Sequence, residues 1–507
     1  MTLRVGMVGC NAGWKLLLNQ VGVPCSIITD DENIDELSAM IVGEDVSSSN
    51  KERIREFVQR GGGVLGSAKA IGELFSIPLR HQFIRSLVPD SQFAGIGMAD
   101  IFLSCTIAKE ANALSADGKY IIMEREMGGG YIVALPFDAG ELILDSRQAV
   151  KSFYAKSKKL PFEHVSLVSK TGIRKLVVRA LEVLHHRRGI PFVHLWYYPE
   201  NAPTIFSFRI DTDFCGKREI EELYDLSQRA GIPFSWFLDV ETQQKHFDLY
   251  RSMNAQEIAV HCYRHSRYDS SGDAVSDIEQ ALAAMKRALL EPSGFAAPYG
   301  QWSAAVREAI DHFGFVYSSE FSYDYDNLPS TISTMFQIPV HPISIGTLRR
   351  LRYTDDEMHT YFMDMIRQKY HQRDPMIFYH HPKNAHLEIL EQMFTQVKQL
   401  HVPVLRMIDY ALWWKARNLI SPNIQLHDNV CSVTTAQTSP THWLHCTRGD
   451  GTEAFSPLVE RIELDRLTWT PIPPAPELPS DISPIRKFNL WIPLLRVQDF
   501  LFKPFTR

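Results

Sequence analysis

Paired cysteines are missing from this sequence. Its seven cysteines, Cys10, Cys25, Cys105, Cys215, Cys262, Cys431 and Cys446, are odd in number and scattered without ligand spacing. That excludes a disulfide framework and a cysteine-based metal knuckle, and a reduced, cytoplasmic setting is the simpler expectation. Long apolar runs are missing too. Nowhere do about 20 apolar residues follow one another, so no membrane-spanning helix is expected. The opening MTLRVGMVGCNAGWKLLL has neither the basic start nor the continuous apolar stretch and small-residue cleavage site of a secretory leader. Excess charge of one sign is also absent: a net charge of -6 over 507 residues gives no reason to expect a nucleic-acid-binding surface.

What is present is an ordinary globular composition, 45% apolar and 22% charged, in a chain too long for a single core. Residues 1–150 begin with a short apolar strand at 3–9 and an apolar run at 37–42 followed by Glu44 and Asp45. A helical segment at 50–60, the triplet Gly61-Gly62-Gly63 and the small apolar run Val64-Leu65-Gly66-Ser67 come next. Strand, helix, glycine turn and strand predict a parallel α/β layer. A second triplet, Gly128-Gly129-Gly130, opens the strand at 131–136. This order resembles the flavodoxin-like, class I glutamine amidotransferase-like fold, in which a nucleophilic cysteine follows a comparable strand. Here Ser67 and Ala68 stand in that neighbourhood, so a non-catalytic domain is expected. Residues 151–202, basic and aromatic with one helix at 172–186, read as a connector.

From residue 203 to 418 strands and helices alternate, which predicts a parallel barrel or doubly wound sheet. The apolar strand 205–210 ends on Asp211 and Asp213, and the strand 257–260 ends on His261, with His265 completing a His-x-x-x-His pattern. Further on come the loop Ala297-Pro298-Tyr299-Gly300 and the run Met376-Ile377-Phe378-Tyr379 ending on His380 and His381. Polar groups at the ends of buried strands sit where parallel α/β folds place their chemistry. An Asp-x-Asp pair also serves as a helix cap, and two histidines in a chain with 19 can be incidental; the shared position after apolar strands is what joins them. One carboxylate with two imidazoles suits zinc or a similar divalent ion with positions left open. Such an ion lowers the pKa of its water to about 7 and polarises a carbonyl. The second carboxylate would take the water's proton and a histidine opposite would protonate the leaving nitrogen.

These residues resemble the NodB-homology polysaccharide deacetylases, carbohydrate esterase family 4, over residues 203–414. The resemblance implies a distorted parallel (β/α) barrel with Asp211 as general base and Asp213, His261 and His265 as ligands of a divalent ion, Zn2+ or else Co2+. It implies that Tyr299, between Pro298 and Gly300, offers a backbone N–H to the oxyanion, and that His381 is the general acid, with His380 as the alternative. The family's arginine ahead of Pro-Tyr-Gly falls on Ala296; Arg209, two residues before Asp211, is the candidate to replace it or to meet substrate. The run Phe208-Arg209-Ile210-Asp211-Thr212-Asp213-Phe214, with Lys217-Arg218-Glu219 and Gln337-Ile338-Pro339-Val340, is also similar to deformylases of undecaprenyl-phosphate-linked formamido-arabinose. Those enzymes lack that arginine and meet a lipid-linked substrate at the cytoplasmic face of the membrane.

Residues 419–507 change character again, with a small β unit at 423–470, a proline-rich stretch at 471–484 and a basic, aromatic tail at 485–507. Such a tail can lie on an anionic membrane surface or pack back onto the protein. The expected function is metal-dependent removal of an acetyl or formyl group from an amino sugar in a polysaccharide or lipid-linked saccharide. The alternatives are hydrolysis of a cyclic amide or ureide, and a saccharide-binding or assembly module on the same fold that has lost turnover.

Overall fold

The computed structural model describes residues 1–507 other than 31, 89–90, 110–121, 158, 438, 475–488, 491 and 494–507. Short, largely apolar runs near the N-terminus pair into a sheet whose parallel strands lie in the order Cys25–Ile27, Val5–Val8, Ala39–Val42, Gly63–Ser67 and Gly130–Leu135. Met123–Met127 adds an antiparallel edge. The four strands from Val5–Val8 to Gly130–Leu135 are buried along their whole length, because helices cover both faces, as a parallel sheet requires. Ala12–Val21 and Lys170–Arg187 pack on one face through Trp14, Leu17, Ile173 and Leu176. Ser48–Gln59 and Ala68–Phe75 cover the other through Ile54, Phe57 and Ile71. The helix of the connector stretch thus joins the core of this sheet. An antiparallel pair, Leu79–Leu87 with Ala99–Ala108, stands beside it.

The second sheet curls. Its strands are β1 (Phe206–Asp211), β2 (Phe234–Asp239), β3 (Glu257–Cys262), β4 (Gly294–Phe295), β5 (Tyr317–Ser318), β6 (Ser330–Ile332), β7 (Met335–Gln337) and β8 (Met376–His380), in the spatial order β8-β1-β2-β3-β4-β5-β7-β6. All pairings are parallel except β6 with β7. The chain after β7 returns toward β8, where His341 N donates to Ile377 O at 2.9 Å, so the two ends of the parallel run meet. Every residue of β1, β2 and β8 is buried. Phe208 and Phe234 pack edge-on or tilted around Phe394 of the helix Leu387–Gln399. The helix Asp355–Gln372 is fixed at its start by a capping box: Glu357 N donates to Thr354 Oγ1 at 3.2 Å and Thr354 N donates to Glu357 Oε2 at 2.9 Å.

The C-terminal β unit is stitched to the connector. Trp443–Thr447 pairs with Thr452–Pro457 on one side and with Phe192–Leu195 on the other, while Asn423–His427, Val430–Thr434 and Arg461–Glu463 form a separate small sheet. Of the tail at 485–507, only residues 489, 490, 492 and 493 are described, so the expectation of a membrane-contacting tail lies largely outside the described residues. Among these, Asn489 Nδ2 donates to Ser152 Oγ at 3.1 Å and to Leu160 O at 3.2 Å. No described helix is long and apolar enough to cross a membrane.

Candidate active site

Arg209 and Asp211 lie two residues apart on β1, so their side chains leave the strand on the same side. Arg209 Nε donates to Asp211 Oδ1 at 2.6 Å and Nη2 donates to Oδ2 at 2.8 Å. Nη1 donates to Ser319 O at 2.6 Å beyond β5. Both residues are enclosed, with 1% and 3% of their surface exposed. The guanidinium sits over Phe237 at 4.8 Å from the ring centroid. Burial alone would lower its pKa, but Asp211 holds it above the ordinary value. A bidentate fork of this kind fixes the carboxylate's orientation as well as its charge.

Asp213 leaves the strand toward a ring of histidines. His261 Nε2 lies 3.3 Å from its Oδ1, and His265 Nε2 and His381 Nε2 lie 3.2 Å and 3.3 Å from its Oδ2. His261, at the end of β3, is oriented from behind: its Nδ1 lies 2.7 Å from Ala296 O. A carbonyl only accepts, so Nδ1 carries the hydrogen and Nε2 is the ring atom presented to Asp213. Asp213 Oδ1, which faces that nitrogen, has no hydrogen-bond partner among the described residues. One ligand atom each from Asp213, His261 and His265 fall within 4.8 Å of one another. That donor set fits a divalent cation. Burial would raise the Asp213 carboxyl, but His261 and His381 pull it well below the usual range. Conversely, Asp213 holds His261 and His381 above theirs in spite of burial.

Two aromatic residues flank the histidines on a strained backbone. Phe214 (φ 51°) and Tyr299 (φ 61°) are both left-handed and about half exposed, at 51% and 48%. Their ring centroids lie 5.5 Å and 4.8 Å from that of His265. In the Pro298 turn, Gly300 N donates to Ala297 O at 3.1 Å and Gln301 N to Pro298 O at 3.2 Å. The Tyr299 N–H has no acceptor among the described residues. Pro298 is buried at the start of the turn. Gly300 cannot be replaced cheaply: at φ +59° an added Cβ would come within 2.3 Å of the Phe321 ring. Gly300→Ala should lower stability by about 1–3 kcal/mol and displace Tyr299, read as a lower denaturation midpoint together with weaker substrate binding.

His380 and His381 point to opposite faces of the chain, as alternation requires. His380 is wholly enclosed, and both of its ring nitrogens lack partners; burial pushes its pKa down to about 3. Substrate cannot reach it, so of the pair only His381 joins the site. Arg209 likewise offers no free edge to substrate.

Two carboxylates near the site are absent from the sequence reading. Asp239 ends β2 as Asp211 ends β1. Its Oδ2 accepts from Thr242 Oγ1 at 2.8 Å and from Phe214 N at 3.4 Å, which pins the left-handed residue, while Oδ1 has no partner. The parallel between FSFRID and FSWFLD was a signal that could have found it. Glu320 follows the two-residue strand β5, which has no apolar run to announce it. It is wholly buried; its Oε1 accepts from Ala297 N at 3.1 Å and Oε2 is unpartnered. Burial pushes its carboxyl up to about 7, against the hydrogen bond from Ala297 N and the charge of Arg209.

Because the folded state holds the Glu320 proton more tightly than an unfolded chain, where the pKa is about 4.3, its contribution to stability is present at low pH. That contribution is lost as pH rises from about 4.3 through about 7. Glu320→Gln keeps the acceptor for Ala297 N and removes the titration. Denaturant melts at pH 5 and pH 8 should show a smaller loss of stability with rising pH in this variant than in the wild type.

Residues 211–318 match the family model for polysaccharide deacetylase, hydrolases of carbon–nitrogen bonds other than peptide bonds. No curated protein matches the chain. Among solved structures, a polysaccharide deacetylase from Mycobacterium smegmatis is 15% identical, with 44% of this chain and 94% of that one covered at a TM-score of 0.37. PuuE allantoinase is 18% identical, with 43% and 93% covered at 0.38. A family 4 pseudoenzyme from Bacillus anthracis is 17% identical, with 42% and 66% covered at 0.33.

Proposed function

We propose that this protein, which carries a polysaccharide deacetylase domain, is a divalent-metal-dependent hydrolase that removes an N-acyl group, acetyl or formyl, from an amino sugar of a saccharide. The observation that carries this reading is the division of labour between neighbouring carboxylates. Asp213 faces three imidazole nitrogens at 3.2–3.3 Å, whereas Asp211 is held by Arg209 and contacts none of them. Asp213, His261 and His265 would hold the ion, and a set with one oxygen and two nitrogen donors suits Zn2+, with Co2+ as a substitute. Bound there, the ion supplies Lewis acidity for water and for the acyl carbonyl.

The remaining steps fall to the chain. Asp211, oriented by Arg209, accepts a proton from the attacking water. The Tyr299 N–H, with no protein acceptor of its own, donates to the oxyanion that forms on the carbonyl oxygen. His381 gives its proton to the amine nitrogen as the C–N bond breaks, releasing acetate or formate and a free amino sugar. The similarity of the run from Phe208 to Phe214 to lipid-linked formamido-sugar deformylases supports a formylated, lipid-linked amino sugar, met at the cytoplasmic face of a membrane, as one substrate to test beside N-acetylated oligosaccharides.

Elemental analysis of the wild type beside His261→Ala/His265→Ala, with acyl release measured on the same samples, tests the reading. About one ion per chain and acyl release in the wild type, both lost in the variant, are the expected results. A wild type that takes up neither zinc nor cobalt would overturn the hydrolase and leave saccharide binding without turnover as the better account.

A further inference from the structure

Phe214 has no part in the cores that hold the molecule together. It belongs to none of the buried hydrophobic clusters, and 51% of its surface is open. Its backbone is unfavourable as well. Cys215 N donates to Thr212 O at 2.9 Å, which closes a four-residue turn with Asp213 second and Phe214 third. That third residue is left-handed, at φ 51°. Glycine or asparagine ordinarily fills such a position, and a bulky side chain there is a rare and strained choice.

The proposed reaction does not account for that choice. At Tyr299 the left-handed backbone leaves an N–H without a protein acceptor, and the oxyanion uses it. The Phe214 N–H is already given to Asp239 Oδ2 at 3.4 Å. Glycine would make the same turn and the same hydrogen bond without strain. What glycine would lack is the ring.

The ring is placed beside the reacting centre. Phe214 follows Asp213 in the chain, and its ring centroid lies 5.5 Å from that of His265, so it adjoins two of the residues proposed to hold the ion. Lys383 Nζ stands 5.7 Å from the centroid and leaves half of the residue's surface open. An open aromatic ring offers an apolar face, and the surface of a saccharide that matches it is the C–H face of a sugar ring. In an N-acylated amino sugar a single nitrogen joins the acyl carbon to the sugar ring, so a ligand whose carbonyl reaches the ion brings its ring among the residues that border the ion. We propose that Phe214 is a specificity-determining residue, whose exposed ring packs against the sugar ring that carries the acylamino group. The position follows from the turn and the open ring; the identity of the ligand rests on the proposed hydrolysis.

Titration calorimetry with the trimer of N-acetylglucosamine tests it on zinc-loaded Asp211→Asn protein at pH 8, from which the proposed base has been removed so that the ligand is not consumed. Adding Phe214→Gly should weaken binding about tenfold, the size of one aromatic contact, while the ion stays in place and the denaturation midpoint does not fall. Phe214→Tyr, which keeps a ring, should bind as the parent does. No binding in the parent, binding indifferent to Phe214→Gly, or loss of the ion or of stability in that variant, which would make the ring a support for His265 or for the fold, would overturn the proposal. Acyl release is scored separately: Phe214→Gly in the otherwise wild-type protein should raise KM more than it lowers kcat. Ring-dependent binding without acyl release by the wild type sinks the hydrolase reading alone, and acyl release with an unchanged KM in Phe214→Gly sinks this inference alone.

Discussion

With asparagine in place of Asp211, the protein keeps its divalent ion and loses turnover by about 10²- to 10⁴-fold, the contribution typical of a positioned general base. The ion should survive because the proposed ligand set of Asp213, His261 and His265 does not include Asp211. Turnover falls because the amide side chain cannot take up the water's proton. The substitution also removes the counter-charge of a buried arginine, which by itself is strongly destabilising. Here a second carboxyl is at hand: Glu320 lies in the field of Arg209, with its proton held up to about 7. In the variant, Arg209 should draw Glu320 into its ionised form, so that the protein stays folded at pH 8 and becomes acid-sensitive as pH falls toward neutrality. Elemental analysis, acyl release and denaturant melts at pH 6 and pH 8 read these effects together. Turnover within a few-fold of the wild type would remove Asp211 from the role of base.

The residues that sequence reasoning brought together are those that end long apolar strands. Asp211, His261 and His381 were legible because they stand at or just beyond the ends of the largely buried strands β1, β3 and β8, and Asp213 and His265 follow by short spacing. Glu320 was not, because β5 is two residues long and is held in the sheet by its neighbours rather than by its own pattern. Asp239 had the same strand-end signal as Asp211 but no partner in sequence to draw attention to it. The helix read at 172–186 is present as Lys170–Arg187, but nothing in its own amphipathic pattern says which sheet it covers. Nor could the pairing of Phe192–Leu195 with Trp443–Thr447 be anticipated, since strand partners so distant in the chain are chosen by the packing of the units around them.

Arg209 carries the other large effect. Arg209→Met leaves Asp211 buried with no cation beside it, and breaking one side of an enclosed pair in this way costs about 3–5 kcal/mol. The carboxylate also loses both hydrogen bonds that fix its lone pairs, so kcat should fall more than KM rises. Ala296 makes a sharper test available. It is wholly buried in the aromatic cluster that contains Phe237 and Tyr379, and the guanidinium of Arg209 lies 4.8 Å and 5.8 Å from the centroids of those two rings. Both positions thus border the same aromatic cluster. An arginine introduced from that position should be able to reach the same place once Arg209 is gone, whereas in the wild-type background it would crowd a second guanidinium into an occupied pocket. Arg209→Met/Ala296→Arg should therefore recover part of the stability and turnover lost in Arg209→Met, while Ala296→Arg alone should be destabilised. If the double variant is no better than Arg209→Met, the two positions are not alternative origins for one cation. If Arg209→Met keeps wild-type kcat in the folded fraction, the arginine serves stability only, and the orientation of Asp211 must be set by the strand itself.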